Sequence, residues 1–232
     1  MGNDAEPATF VLIHGGGGSS WDWHLVEPEL RGYGHEVIAV DMPIEDDRNG
    51  IAEYADAVVA ACAGRPRLVV VAHSFGGLVA PVVCARTEAR LMVLVTAMIP
   101  EPAESPAQWW SATGHDELGI AFGTPQEEID VFYNGVPEPL IAASHEHARD
   151  QGGGKWDEPS PLQAWPDVPT RYLLCRDDRL FPPAFARAHV AERLGITPDE
   201  IDGGHMIALA RPRALAERLH LLWNETREST GA

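Results

Sequence analysis

Lysine is almost missing from this chain: Lys155 stands alone beside sixteen arginines, and these 17 cations face 35 carboxylates. The resulting formal charge of −18 repels nucleic acid and anionic membrane surfaces, so neither is an expected partner. Cysteine is scarce as well. Cys62, Cys84 and Cys175 are odd in number and lie in apolar runs, which points to buried free thiols and away from a disulfide framework. The opening residues Met1 to Pro7 lack a basic segment followed by an apolar stretch, so neither a signal peptide nor a membrane anchor is expected, and a cytoplasmic location is. Glu6 stands where a myristoylation signal wants Ser or Thr. Internal repeats and low-complexity tracts are absent.

What remains is an ordinary globular composition. Apolar residues make up 45% of the chain, enough to exclude a disordered protein. At 232 residues the chain accommodates one α/β domain with an insertion. Short β-branched runs over residues 9–13, 36–40, 68–72, 91–96, 170–175 and 199–202 read as strands buried on both faces. Between them, residues 21–31, 51–63, 75–86, 183–194 and 211–225 carry apolar positions at helical spacing. This alternation predicts a doubly wound, mostly parallel six-stranded sheet. Residues 100–169 break the rhythm with Pro, Gly and Trp, and read as a cap inserted into a core of residues 1–99 and 170–232.

The run Leu68 to Val79 passes from an apolar strand through Ala72-His73-Ser74-Phe75-Gly76-Gly77 into an apolar helix. A tight strand-to-helix turn needs small residues two before and two after the serine, and Ala72 and Gly76 supply them. Upstream, His14-Gly15-Gly16-Gly17-Gly18 follows a strand without the spacing of a phosphate-binding loop. It fits an oxyanion hole, with backbone N–H groups from Gly16 and Phe75 aimed at charge developing on an attacked carbonyl. A serine hydroxyl also needs a base and an orienting acid, in the chain order Ser, Asp, His. Asp178, after the strand at 170–175, is the candidate acid with Asp177 as its rival; His205, on the glycine loop Gly203-Gly204-His205, is the candidate base. His14 and His73 flank the site and read as structural. His145, Glu146 and His147 lack a third ligand at metal-binding spacing, so no metal site is expected.

These motifs, with Trp21-x-Trp23 and Thr96-Ala97-Met98-Ile99-Pro100, resemble the α/β-hydrolase superfamily over nearly the whole chain, and most of all its small esterase and hydroxynitrile-lyase branch. The resemblance implies chemistry without a cofactor. The expected partner is a small-molecule substrate, and the expected state is a monomer or homodimer. Serine at the elbow argues against epoxide hydrolase or haloalkane dehalogenase chemistry. The expected reaction is hydrolysis of a small to medium, largely apolar carboxylic ester through an acyl-enzyme. A carbon–carbon bond hydrolase or hydroxynitrile-lyase-like enzyme is one alternative; for a lyase the resemblance asks for a cap lysine, and Lys155 is the sole candidate. A ligand receptor without turnover, or with slow turnover, is the other. Trp109, Trp110, Phe122 and Trp156 are candidate pocket residues among the aromatics of the insertion.

Overall fold

A computed structural model describes residues 6–230 of the chain, so most of the amino-terminal segment read above lies outside the described residues. Six strands form: β1 (Thr9–Ile13), β2 (Glu36–Val40), β3 (Leu68–His73), β4 (Ala89–Val95), β5 (Thr170–Cys175) and β6 (Asp199–Ile201). They make one sheet in the order β2-β1-β3-β4-β5-β6, with every neighbouring pair parallel. The order reverses between β1 and β3, where Ile13 lies in register with Ala72. The glycine loop and the serine turn therefore leave the sheet side by side, at the switch point where doubly wound sheets bind ligands.

Helices cover both faces: α1 (Val26–Gly32), α2 (Ile51–Ala61), α3 (Ala80–Cys84), α4 (Pro106–Ala112), α5 (Pro125–Phe132), α6 (Glu138–His147), α7 (Pro183–Leu194), α8 (Ile207–Ala210) and α9 (Pro212–Thr230). Strand residues alternate between two buried clusters because side chains on a strand point to opposite faces in turn. Val11, Val70, Met92 and Leu174 pack with α2, α3 and α7, whereas Phe10, Val69, Leu91 and Leu173 pack with α1 and α9. Three of the insertion's helices, α4 to α6, lie between β4 and β5. No helix among the described residues is long and apolar enough to cross a membrane.

Two helices differ from their expected extent for local reasons. The helix expected over residues 21–31 is a 3₁₀ turn, Ser20–Trp23, followed by α1. The His24 ring bonds the Trp21 carbonyl at 2.7 Å, and Pro28 fits only the first turn of a new helix. The helix expected over 75–86 is likewise a 3₁₀ turn, Ser74–Leu78, and then the short α3. Gly76 and Gly77 disfavour a regular helix, and Pro81 falls in the first turn of α3, where its missing N–H leaves no bond unmade. Helix α9 runs past residue 225, where the Thr226 and Ser229 hydroxyls bond back to the Leu222 and Glu225 carbonyls.

Leu12, fully buried on β1 among the α1 and α9 side chains, tests this packing. Leu12→Ala should cost about 3 kcal/mol. Urea unfolding should show a lower midpoint at an unchanged slope.

Candidate active site

At the end of β3 the backbone turns sharply: Ser74 has φ 51°, a left-handed conformation that a side-chain-bearing residue adopts only when its surroundings enforce it. The enforcement is visible at the two glycines that follow. A Cβ on Gly76 would stand 2.7 Å from the His14 carbonyl oxygen and 3.0 Å from Ile13 Cγ2, and one on Gly77 would collide with the Met98 carbonyl. The Met98 N–H also donates to the Ser74 carbonyl at 3.0 Å. The turn is thus wedged between the ends of β1 and β4, and its serine hydroxyl projects over the sheet edge.

Ser74 Oγ lies 2.9 Å from His205 Nε2, and His205 Nδ1 lies 2.9 Å from Asp178 Oδ2. All three side chains are buried. Because Asp178 can only accept, Nδ1 carries the ring proton and Nε2 is left to accept from the serine. The second Asp178 oxygen takes the N–H groups of Leu180 and Phe181 at 2.8 and 2.9 Å, and the Thr96 hydroxyl donates to Oδ2. Burial alone would raise the pKa of this carboxyl, but the His205 ring, the Thr96 hydroxyl and the Phe181 N–H outweigh it and hold the group below its ordinary value. Asp177 is exposed and, among the described residues, engages through its backbone, to the Gly203 carbonyl and the Asn134 amide. Thr96, whose φ of 39° is unusual for a β-branched residue, opens one of the motifs that carry the resemblance, but nothing in its spacing marks it as a partner of a residue 82 positions on.

The two flanking histidines act as braces. His14 Nδ1 donates to the Gly15 carbonyl at 2.7 Å while Nε2 accepts the Met42 N–H at 3.2 Å. His73 Nε2 donates to the His205 carbonyl at 2.9 Å. Burial and the His205 ring push the His73 pKa down to about 3, so the brace is uncharged at neutral pH.

Over the glycine loop runs the segment 148–155. The Arg149 N–H bonds the Gly17 carbonyl at 2.8 Å, and the Gln151 side-chain carbonyl accepts the Gly17 N–H at 3.0 Å. Gly17 is thus committed to this segment, and Gly16 lies beside the turn; a Cβ on Gly16 would stand 3.5 Å from Phe75 Cβ. No sequence pattern marks Gln151, because only the fold brings it 134 positions back to the loop.

A cleft of about 250 Å³ opens above Ser74, and Gly15 to Gly18, Asp22, Phe132, Tyr133, Arg149 and Met206 are among its walls. None of the four aromatics expected there lines it. Trp109 is fully buried, donating to the Ile99 carbonyl and packing on Phe181 and His189. Trp110 stands edge-on to His115, Phe122 is exposed against Phe132, and Trp156 stacks on the far side of Phe75 at 5.5 Å. Packing onto the core claims the three tryptophans, whereas Phe122 rests on Phe132 at the surface. Lys155 is also outside the cleft, paired to Glu53 at 2.8 Å and Glu158 at 3.4 Å. Asp22, between the two tryptophans of Trp21-x-Trp23, is in the wall although its spacing carried no warning.

Comparison with known proteins places these features in a family. A model described as the alpha/beta hydrolase family matches residues 10–218. The chain is 25% identical to polyneuridine aldehyde esterase from Rauvolfia serpentina, across 94% of this chain and 96% of that one. It is 28% identical to methylesterase 2 from Arabidopsis thaliana, across 94% and 97%. The crystal structure of polyneuridine aldehyde esterase superposes with a TM-score of 0.81 at 21% identity, covering 94% of this chain and 99% of that one, and shows the same fold.

Burial raises the Asp22 pKa from 3.8 to about 6. The folded state therefore holds this proton more tightly than the unfolded chain, and that contribution to stability, present below pH 3.8, is lost as pH rises through about 6. Asp22→Asn, which keeps an acceptor without the charge, should raise Tm by roughly 5 °C at pH 8 and by little at pH 4. Calorimetry at the two pH values checks this.

Proposed function

The chain belongs to the alpha/beta hydrolase family, and from that premise we propose that it is a serine carboxylic-ester hydrolase working through an acyl-enzyme. Ser74 is the nucleophile, His205 the general base and Asp178 the carboxylate that orients it. The observation that carries this reading is the unbroken line of hydrogen bonds from the Ser74 hydroxyl through both nitrogens of His205 to Asp178. Two relatives named as esterases support it.

In the proposed cycle, Ser74 Oγ attacks the ester carbonyl as His205 Nε2 takes its proton. Asp178 stabilises the imidazolium without becoming protonated, in keeping with a carboxyl held below its usual range. The Gly16 and Phe75 N–H groups meet the oxyanion, and their fixed backbone makes each such donor worth about 3 kcal/mol of barrier. His205 returns the proton to the leaving alcohol, then activates water, and hydrolysis of the acyl-enzyme frees the acid. Side chains and backbone donors carry every step. Residues 100–169 serve as the cap over a core of residues 1–99 and 170–232, and through α5 and the segment 148–155 they close the cleft over Ser74. Three buried free thiols suit a cytoplasmic enzyme, and we assign it a monomeric or homodimeric state. With Lys155 held in ion pairs outside the cleft, no observation favours the lyase alternative.

Intact-protein mass after exposure to a fluorophosphonate, with nitrophenol release from short acyl esters, tests the proposal. Wild type should gain one adduct and turn over ester, and Ser74→Ala should lose both. Asp178→Asn should lower kcat by about 10³-fold or more. A folded wild type with neither adduct nor turnover overturns the reading.

A further inference from the structure

The cleft above Ser74 has a charged side that ester hydrolysis does not use. Asp22 is 7% exposed and forms part of the cleft wall. Its carboxylate accepts the Ser19 N–H, and among the described residues it has no ion-pair partner. Burying a carboxylate without a counter-ion is expensive, so such a group persists either for a structural reason or because a ligand completes it. The bond to Ser19 is met equally well by an asparagine and does not call for charge.

Among the described residues the Ser19 N–H and the His147 ring favour the charged form, but no arginine or lysine is paired with Asp22. Arg149, the one arginine in the wall, is already engaged by the Met42 carbonyl at 2.9 Å, by Glu45 at 2.8 Å and by Asp41 at 3.8 Å. Glu128 adds a second carboxylate to the same wall and lies 3.7 Å from His145. Tyr133 and Phe132 add aromatic rings to the same wall, and the Tyr133 hydroxyl is hydrogen-bonded to Ser144 at 3.1 Å. A buried carboxylate beside aromatic rings is the chemistry that receives an alkylammonium: Coulomb attraction from one, ring quadrupoles from the others. The overall charge of −18 would further concentrate cations at the mouth.

We propose that Asp22 is the specificity-determining residue of this cleft and that it selects esters carrying an ammonium group, protonated or quaternary. The proposal rests on the serine-esterase reading above and names its substrate class. With the carbonyl at Ser74 and the cleft only about 250 Å³ in volume, the substrate is a compact ester with its cation one short arm away.

The test compares kcat/KM within two isosteric pairs at physiological salt. One pair is nitrophenyl trimethylammoniobutanoate and its tert-butyl analogue, which vary the acyl arm; the other is acetylthiocholine and the matching neutral thioester, which vary the alcohol arm. In at least one pair wild type should favour the cationic member by about 10-fold or more, mainly through KM. In Asp22→Asn that ratio should fall to about 1, and taking the ratio cancels any loss common to both esters. Equal or reversed preference in wild type for both pairs overturns the proposal whatever the variant does, and so does a ratio unchanged in Asp22→Asn. Failure of the esterase reading looks different: neither member of either pair is turned over and Ser74 takes no fluorophosphonate.

Discussion

One buried carboxylate ties the carboxyl edge of the sheet together. Asp178 receives four donors from three places: the Thr96 hydroxyl after β4, the Leu180 and Phe181 N–H groups in the turn after β5, and the His205 ring on the loop before α8. In a low-dielectric interior a carboxylate so surrounded stays ionised, and each donor is held by the same charge that it satisfies. The consequences spread outward. Thr96 accepts a left-handed backbone, His205 is fixed in one tautomer, and its other nitrogen is left facing Ser74.

Backbone strain falls at the same edge. Ser74 and Thr96, both at positive φ, end adjacent parallel strands, and the close approach of β1 and β4 to the turn explains why Gly76 and Gly77 admit no side chain. Backbone strain of this kind survives only where packing over-determines it. Here the packing is the pair of buried clusters on the two faces of the sheet, together with the His14 and His73 braces. The 148–155 segment then fixes the glycine loop from above by bonds to Gly17, so the loop's donors are set before any ligand arrives. In the proposed cycle, donors fixed in this way need no reorganisation, which is where electrostatic catalysis gains its advantage over water.

The insertion divides its labour unevenly. Its tryptophans mostly anchor it, with Trp109 sunk between α4 and α7 and Trp156 stacked on Phe75. Phe132, Tyr133, Ser144 and Arg149 of the insertion meet the cleft instead. A large ring gains most by full burial against the core, so counting aromatics in a cap overstates how many face a ligand.

Much was legible in the sequence because it depends on local pattern. Period-two and helical spacing set the strand and helix order, and β1, β2 and β5 begin and end where their apolar runs do. Small residues around Ser74 and glycines around His205 marked tight turns, since few backbones tolerate them otherwise. Contacts between distant segments left no such trace. Asp178 and Asp177 are neighbours of one chemical type, and only the direction each takes from the end of β5 turns one toward His205 and the other to solvent. Thr96 reaches Asp178, Gln151 reaches Gly17 and Asp22 enters the cleft wall across separations that no spacing rule encodes. The sequence alone determined the family of turns and the sheet that carries them, because those follow from steric and hydrophobic periodicity along the chain. Which side chains share the space above Ser74 was decided only by the tertiary structure, because that depends on how separate segments pack against one another.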